Sequence, residues 1–433
     1  MKFYSTQKNS PIVGLQEAIM NGLAPDGGLY LPIEIPRLPS NFFKQADKMS
    51  FQDIVFAASK NFFLSDIPQD TLEVFVREAF NFAVPLVEFD KQLYTLELFH
   101  GPTGAFKDFA ARFMARLLGF FAKKSQKEIT ILVATSGDTG SAVAHGFLNV
   151  EGIKVIILYP SGKVSQLQEK QLTGMGGNIT ALEVRGVFDD CQKLVKQAFL
   201  DKELKEKMIL ASANSINIAR LLPQSFYYLY LGARLKKENK PIVVSVPSGN
   251  FGNLTAGIIA KRMGAPIVKF VAATNRNNAV PEYLQTGEFK IRPSVATISN
   301  AMDVGNPSNF LRLLELYDND VTKMKKDIFG ASFSDEETKA AMASVFKRYN
   351  YIMDPHGAVA YLGLLDFMKG AKESIGVFLE TAHPVKFSDE VEKAIGRSAP
   401  MPDNLKIYLN REKQAILFEN DFSELKDFLL YKF

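Results

Sequence analysis

From about residue 93 onward, short runs of apolar residues, many of them β-branched, alternate with stretches whose apolar positions recur at helical spacing. Residues 93–98, 129–134, 155–158, 179–184, 242–246, 268–273 and 376–379 read as strands, each short and almost uniformly apolar. Between them the spacing predicts helices over 106–118, 140–148, 164–172, 189–200, about 216–236 and 254–263. Strands that alternate with helices predict an α/β fold with parallel sheets. Residues 1–90 read differently. Pro11, Pro25, Pro32, Pro36 and Pro39 punctuate an irregular start, followed by helices around 50–60 and 70–82.

A chain of 433 residues exceeds one ordinary domain. The expected organisation is a mostly helical extension over 1–92, an α/β domain over 93–225 and a second over 226–433. Hydrophobic residues make up 47% and charged residues 23%, the composition of a folded globular protein. The 51 basic and 47 acidic residues are spread along the chain, and Lys123, Lys124 and Lys127, or Arg234, Lys236 and Lys237, are only short solvated runs. Nucleic acid and anionic membranes are therefore disfavoured as main partners. The polar start from Met1 to Pro11 lacks the apolar core of a signal peptide, and no apolar run approaches the length of a membrane span. The expected compartment is the cytoplasm. Cys191 is the only cysteine, which excludes an internal disulfide, and its helix-like setting suits a buried thiol.

In such folds ligands sit beyond the carboxyl ends of strands, where glycine-rich turns feed helix N-termini. One such stretch is His100-Gly-Pro-Thr-Gly-Ala-Phe-Lys107-Asp108. At helical spacing Lys107 heads an apolar stripe with Ala110, Met114 and Leu118, while Asp108, Arg112 and Arg116 form a second stripe expected to face solvent. Two readings of Lys107 stay open: a lysine snorkelling from the helix end, or a desolvated amine made nucleophilic toward an aldehyde. A second stretch, Ala134-Thr-Ser-Gly-Asp-Thr-Gly-Ser141, suits a carboxylate or phosphate loop, or an ordinary cap through Ser136 or Asp138. In a third, Pro247-Ser-Gly-Asn-Phe-Gly-Asn253, Gly249 and Gly252 permit positive φ and an anion-binding nest. It matches neither a Walker loop nor the dinucleotide fingerprint. Thr381, after the last strand, suits a ligand at the sheet end or a cap, and His383 before Pro384 reads as a turn residue. His100, His145 and His356 are too scattered to read as a metal site. Arg220 suits either a surface ion pair or an anionic substrate.

Together these motifs resemble the threonine synthase family, in its longer branch with an extended N-terminal region. The similar segments are 100–112, 135–145, 159–170, 214–224, 247–257, 299–303 and 380–384, joined near the start by Tyr4-Ser-Thr and Pro25-Asp-Gly-Gly-Leu-Tyr-Leu-Pro32. Gly104 departs from the family pattern, where a larger residue is common, and is expected to loosen the packing near Lys107. The resemblance implies two α/β domains with pyridoxal 5'-phosphate between them, and conversion of O-phospho-L-homoserine and water to L-threonine and phosphate by γ-elimination and β-addition of water. It implies Lys107 as the Schiff-base lysine, and Gly249, Asn250, Phe251, Gly252 and Asn253 as the cofactor-phosphate loop. Thr381 would partner the pyridine nitrogen, and Ser136, Gly137, Asp138 and Thr139 would receive the substrate carboxylate. Lys163 and Arg220 are candidates for the substrate phosphate. No metal is implied, and the assembly expected is a monomer or homodimer. The alternatives are a serine/threonine dehydratase or cysteine synthase of the same fold, and a non-catalytic metabolite-binding homologue. The former usually carry a more glycine-rich phosphate loop and a Ser-x-Lys motif, where this chain has Ser-Gly-Asn-Phe-Gly-Asn and Ala-Phe-Lys.

Overall fold

The structure is a computed structural model, and it describes residues 1–432. Its N-terminal region opens with a small antiparallel sheet of β1 (Lys2–Ser5), β2 (Val13–Gly14) and β3 (Tyr30–Pro32), where the prolines predicted irregular chain. Strands this short leave no alternation to read. The helices Phe51–Phe63 and Gln69–Ala79 follow as expected, the first capped by Ser50, whose hydroxyl accepts from the Asp53 amide at 3.1 Å.

The remaining strands build two larger sheets. One contains β4 (Leu86–Asp90), β5 (Leu93–Glu97), β10 (Ile242–Pro247), β11 (Ile267–Thr274), β12 (Ile328–Ser332) and β13 (Ile375–Glu380), in the order β12-β11-β10-β13-β5-β4. The other contains β6 (Ile129–Ala134), β7 (Ile153–Pro160), β8 (Ile179–Val184), β9 (Ile209–Ser212) and β14 (Ile416–Phe418), in the order β14-β8-β7-β6-β9. All their pairings are parallel except β4 with β5. The central strands β6, β10 and β13 are buried along their whole length, which accounts for their mostly apolar sequences.

Neither sheet belongs to one contiguous segment. The strand Leu93–Glu97 pairs with β13 in the sheet of the C-terminal half, and Ile416–Phe418 closes the edge of the earlier sheet beside β8. Both sheets are wound alike. The chain passes from β6 through β7 to β8 and returns to β9 on the far side of β6; it passes from β10 through β11 to β12 and returns to β13 on the far side of β10. The strand order therefore reverses at β6/β9 and at β10/β13, and at such switch points loops diverge and leave a crevice.

The helix Lys107–Ser125 connects the two sheets and runs seven residues past its predicted end at 118. Its second stripe does not face solvent. Asp108 is buried against the 101–103 turn, and Arg112 is buried where the segment 78–82 covers it. Arg112 donates to Asn81 Oδ1 at 2.8 Å, and Arg116 pairs with Glu78 at 3.3 Å. Phe109 is fully buried there, with ring centroids 4.8 Å from Phe82, 5.3 Å from Tyr227 and 5.7 Å from Phe51. Cys191 is buried, and burial pushes its thiol up to about 12. No helix among the described residues is long and apolar enough to cross a membrane. Truncating Phe109 to alanine removes the ring on which the extension seats, and should cost about 3–5 kcal/mol, seen as an earlier urea or thermal transition with the N-terminal region the first to become protease-sensitive.

Candidate active site

Four loops leave the carboxyl ends of the switch-point strands, and side chains tie them together. Asn214, after β9, donates to the Ala134 carbonyl at the end of β6 at 2.9 Å. Asn250, after β10, donates to the Ser215 hydroxyl at 2.8 Å. Lys386, in the turn after β13, pairs with Asp138, after β6, at 2.7 Å. The side chain of Lys386 has no exposed surface and that of Asp138 has 5%. Burial would raise the Asp138 carboxyl, but Lys386 and Lys107 outweigh it and hold the group well below the usual carboxylate range. Gln168 donates to the same Asp138 oxygen at 2.8 Å, and Lys386 also donates to the Thr103 carbonyl at 2.9 Å.

Lys107 lies within this arrangement. The loop before it runs beside the end of β13: Phe106 donates its amide to the Thr381 carbonyl at 2.9 Å, and His383 donates to the Gly104 carbonyl at 2.9 Å. Asp108, one residue on, accepts from the Thr103 amide and hydroxyl, both at 2.8 Å, and so closes the 101–107 turn. Gly104 does not loosen this packing. Its φ of +70° favours glycine, and an added Cβ would lie 2.9 Å from Leu405 Cδ1, so Leu405 and His383 already fill the space. Burial pulls the Lys107 amine down to about 8; Asp138 opposes the shift, and the cations Lys386 and Arg220 reinforce it. The lowered amine favours the nucleophilic reading of Lys107 over a lysine that snorkels into solvent.

The capping role expected of Ser136 or Asp138 falls instead to Thr135, whose hydroxyl accepts from the Gly137 and Gly140 amides at 3.0 and 2.8 Å. Ser136 and Thr139 stay half-exposed at the start of the helix Asp138–Phe147. Gly137 adopts φ +141°, and an added Cβ would strike the Gln168 amide at 2.5 Å.

The 247–253 turn is glycine-dependent for a different reason from the one its sequence suggests. Neither Gly249 nor Gly252 has positive φ; the left-handed residue is Phe251, at 59°. Gly249 is needed because a Cβ there would lie 2.7 Å from the Met302 Cα and 2.8 Å from the Ala301 carbonyl. Asn250 Oδ1 accepts from the Ser308 amide at 2.5 Å. Asn253 Oδ1 accepts from Tyr227 and Tyr228 at 2.5 and 2.6 Å, which turns its amide nitrogen away; that Nδ2 is buried with no partner. A buried unpaired donor in the first turn of the helix Gly252–Arg262 is suited to an anion.

Arg220 is buried, makes no ion pair, and keeps an unpaired Nε; burial lowers it to about 10, with Asp108 opposing. Thr381 is buried directly after β13. His383 caps the turn Pro384–Phe387, accepting from the Val385 amide at 3.2 Å, as its place before a proline suggests. Lys163 is exposed on the loop after β7 and makes no contact with the cluster. Sequence reasoning missed Lys386, Gln168, Ser215, Asn309 and Arg312. The signal for two of them was a cation inside an apolar run, Pro384-Val-Lys386-Phe and Phe310-Leu-Arg312-Leu-Leu.

The pKa of Lys107 predicts that apo-protein captures an aldehyde cofactor faster as pH rises, with a midpoint near 8 in place of the ordinary 10.5. Lys386→Met removes a cation that lowers this value and leaves Asp138 to raise it, so the midpoint should move upward, read by absorbance stopped-flow between pH 6.5 and 10. The same change strands a buried carboxylate and should cost about 3–5 kcal/mol of stability.

Known proteins are similar to this chain in sequence and fold. Residues 84–379 match the family described as pyridoxal-phosphate dependent enzyme, 2–80 match the threonine synthase N terminus, and 358–429 match the threonine synthase C-terminal region. A threonine synthase of Buchnera aphidicola subsp. Schizaphis graminum is 45% identical, covering 100% of both chains. The crystal structure of threonine synthase from Escherichia coli superposes with a TM-score of 0.93 at 42% identity, covering 100% of both chains. That of the PLP-bound enzyme from Brucella melitensis gives 0.94 at 34% identity, covering 99% of this chain and 98% of that one. With all three regions matched in order, the chain belongs to the threonine synthase family of pyridoxal-phosphate-dependent lyases.

Proposed function

We propose that this chain converts O-phospho-L-homoserine and water to L-threonine and inorganic phosphate, with Lys107 holding the cofactor and moving protons. The observation that carries the reading is the desolvated Lys107 amine, set among Asp138, Lys386 and Arg220 where the switch-point loops meet.

The residues present fit pyridoxal phosphate. The unpaired Asn253 Nδ2 and the first amides of the helix Gly252–Arg262 would hold its phosphate, with Gly249, Asn250, Phe251 and Gly252 forming the cradle. The Thr381 hydroxyl would meet the pyridine nitrogen as a neutral partner. When bound, the cofactor supplies an electron sink for the carbanion formed at the substrate Cα. Lys107, once its amine is free, takes the proton from Cα and returns protons along the substrate chain; its lowered pKa suits a group that must both accept and donate near neutral pH. A proton is also lost from Cβ as phosphate leaves Cγ with the bonding electrons; protonation at Cγ, addition of water at Cβ and return of a proton to Cα complete threonine.

The substrate carboxylate would be received by Ser136 and Thr139 with the amides of Asp138 and Thr139 at the helix start. The Asp138 side chain cannot take part directly, because it is an anion committed to Lys386; it fixes the loop while its amide faces the ligand. Of the two candidates for the substrate phosphate, Arg220 is supported by its burial and its electrostatic reach to Lys107, whereas Lys163 remains exposed. The single, buried Cys191 is compatible with the reducing cytoplasm as the compartment. The assembly proposed is a monomer or homodimer.

Phosphohomoserine should release phosphate and threonine in equal amounts from the holoenzyme, and Lys107→Ala should lower that rate by at least about 10³-fold. Retained turnover in the variant would sink the role of Lys107. An oxo acid and ammonia as main products would mark a dehydratase instead.

A further inference from the structure

Among the described residues Arg312 is the largest fully buried side chain, and it has no carboxylate partner there. Its Nε donates to the Tyr30 carbonyl at 3.0 Å, and Nη2 to the Ile216 carbonyl at 2.6 Å. Nη1 donates to the Ser215 carbonyl at 3.1 Å and to Asn309 Oδ1 at 2.7 Å. Every acceptor is neutral. Burial, the sole cause, lowers the group to about 9, and no acidic residue contributes to hold it up. A cation kept wholly out of water with only carbonyls around it is electrostatically incomplete.

The completing charge is indicated by what the guanidinium touches. Asn309, its acceptor, turns its own Nδ2 to the Ser215 hydroxyl at 3.1 Å. Asn250 donates to that same hydroxyl oxygen at 2.8 Å. With two donors on its oxygen, the Ser215 hydroxyl must direct its hydrogen elsewhere. Asn309 and Ser215 border the helix N-terminus, since a Cβ on Gly252 would stand 3.4 Å from Asn309 Nδ2 and 3.6 Å from Ser215 Cβ. That helix start also carries the unpaired Asn253 Nδ2.

We propose that Arg312 is the buried countercharge of the cofactor phosphate, acting through Asn309 and Ser215, with the Ser215 O–H donating directly to that phosphate. The proposal rests on the reading of 249–253 as the phosphate loop. Arg312 is thus a positioning residue. It polarises the Asn309 amide, orients the Ser215 hydrogen toward the anion, and favours the dianion in a place that excludes water. The N-terminal region enters the same device, because the Tyr30 carbonyl at β3 holds the guanidinium in place.

The test compares equilibrium binding of pyridoxal phosphate and of pyridoxal, which lacks the phosphate, to full-length apo-protein carrying Arg312→Gln, Arg312→Lys, Ser215→Ala or Asn250→Ala. Arg312→Gln should weaken pyridoxal phosphate about tenfold while pyridoxal changes by less than about twofold, and Arg312→Lys should recover most of the difference. Ser215→Ala should show a smaller loss of the same kind. Equal weakening of both ligands, or an unchanged ratio between them, would overturn the proposal. If Asn250→Ala loses the discrimination while Arg312→Gln keeps it, only this inference falls. If neither does, or the unaltered protein binds both ligands alike, the phosphate-loop reading falls with it. Should Arg312→Gln not fold, phosphorus NMR of the unaltered holoenzyme decides: a bound phosphate that stays dianionic well below the solution value of about 6 supports the countercharge, and one that titrates at that value refutes it.

Discussion

The ammonium of Lys386 and the carboxylate of Asp138 lie 2.7 Å apart with essentially no access to water, one contributed by the turn after β13 and the other by the loop after β6. Removing either charge leaves the other stranded in a low-dielectric interior, so each strand end constrains where the other can be. The pair reaches further through its secondary bonds, since Lys386 holds the Thr103 carbonyl and Asp138 is steadied by Gln168. The 101–107 turn, and with it the start of the helix bearing Lys107, is registered on the same two charges. The electrostatics of the nucleophile follow from this placement: one nearby anion and two nearby cations surround an amine that burial has already made easier to deprotonate.

The strand order gives that arrangement its location. Two sheets with the same winding bring four carboxyl ends to a common crevice, and the cross-links Asn214–Ala134, Asn250–Ser215 and Lys386–Asp138 join neighbouring loops into a nearly closed circuit. No single loop would be rigid alone. Phe251 holds a left-handed conformation that a bulky residue rarely adopts, at a cost of about 1–3 kcal/mol, and it persists because Gly249 is pressed against the 301–302 backbone and Asn250 is held on both sides.

Much of this was legible in the sequence, and what was not has physical causes. Strands buried on both faces, such as Ile129–Ala134 and Ile242–Pro247, announce themselves as apolar, β-branched runs interrupted only by Thr130 or Ser245. The strands Lys2–Ser5, Ile209–Ser212, Ile328–Ser332 and Ile416–Phe418 are short, partly exposed or interrupted by serine and glycine, and they exist only because a neighbour supplies the pairing. The polar and glycine-rich loops around Ser136 and Asn250 were visible because few other folds of the chain need them. The role of Gly249 was not, because positive φ and close approach select the same residue and a sequence does not separate them. The second stripe of the lysine-bearing helix read as solvent-facing because what covers Arg112 lies more than thirty positions away at Asn81. Lys386 and Arg312 escaped for the same reason: their partners are distant in sequence, and a lone cation in an apolar run has no meaning until those partners are known.

The exchange of strands between sheets bears on how the chain is made. As synthesis proceeds, β5 emerges long before β13, the strand it pairs with, and β8 stands as an open edge until residues 416–418 leave the ribosome. Unpaired edges are templates for unwanted pairing between chains. For most of translation this protein therefore carries two unfinished sheets, each completed only by residues from the last sixth of the chain. A release of the chain short of its C-terminal strand would leave an aggregation-prone edge even though every residue of the crevice had already been made.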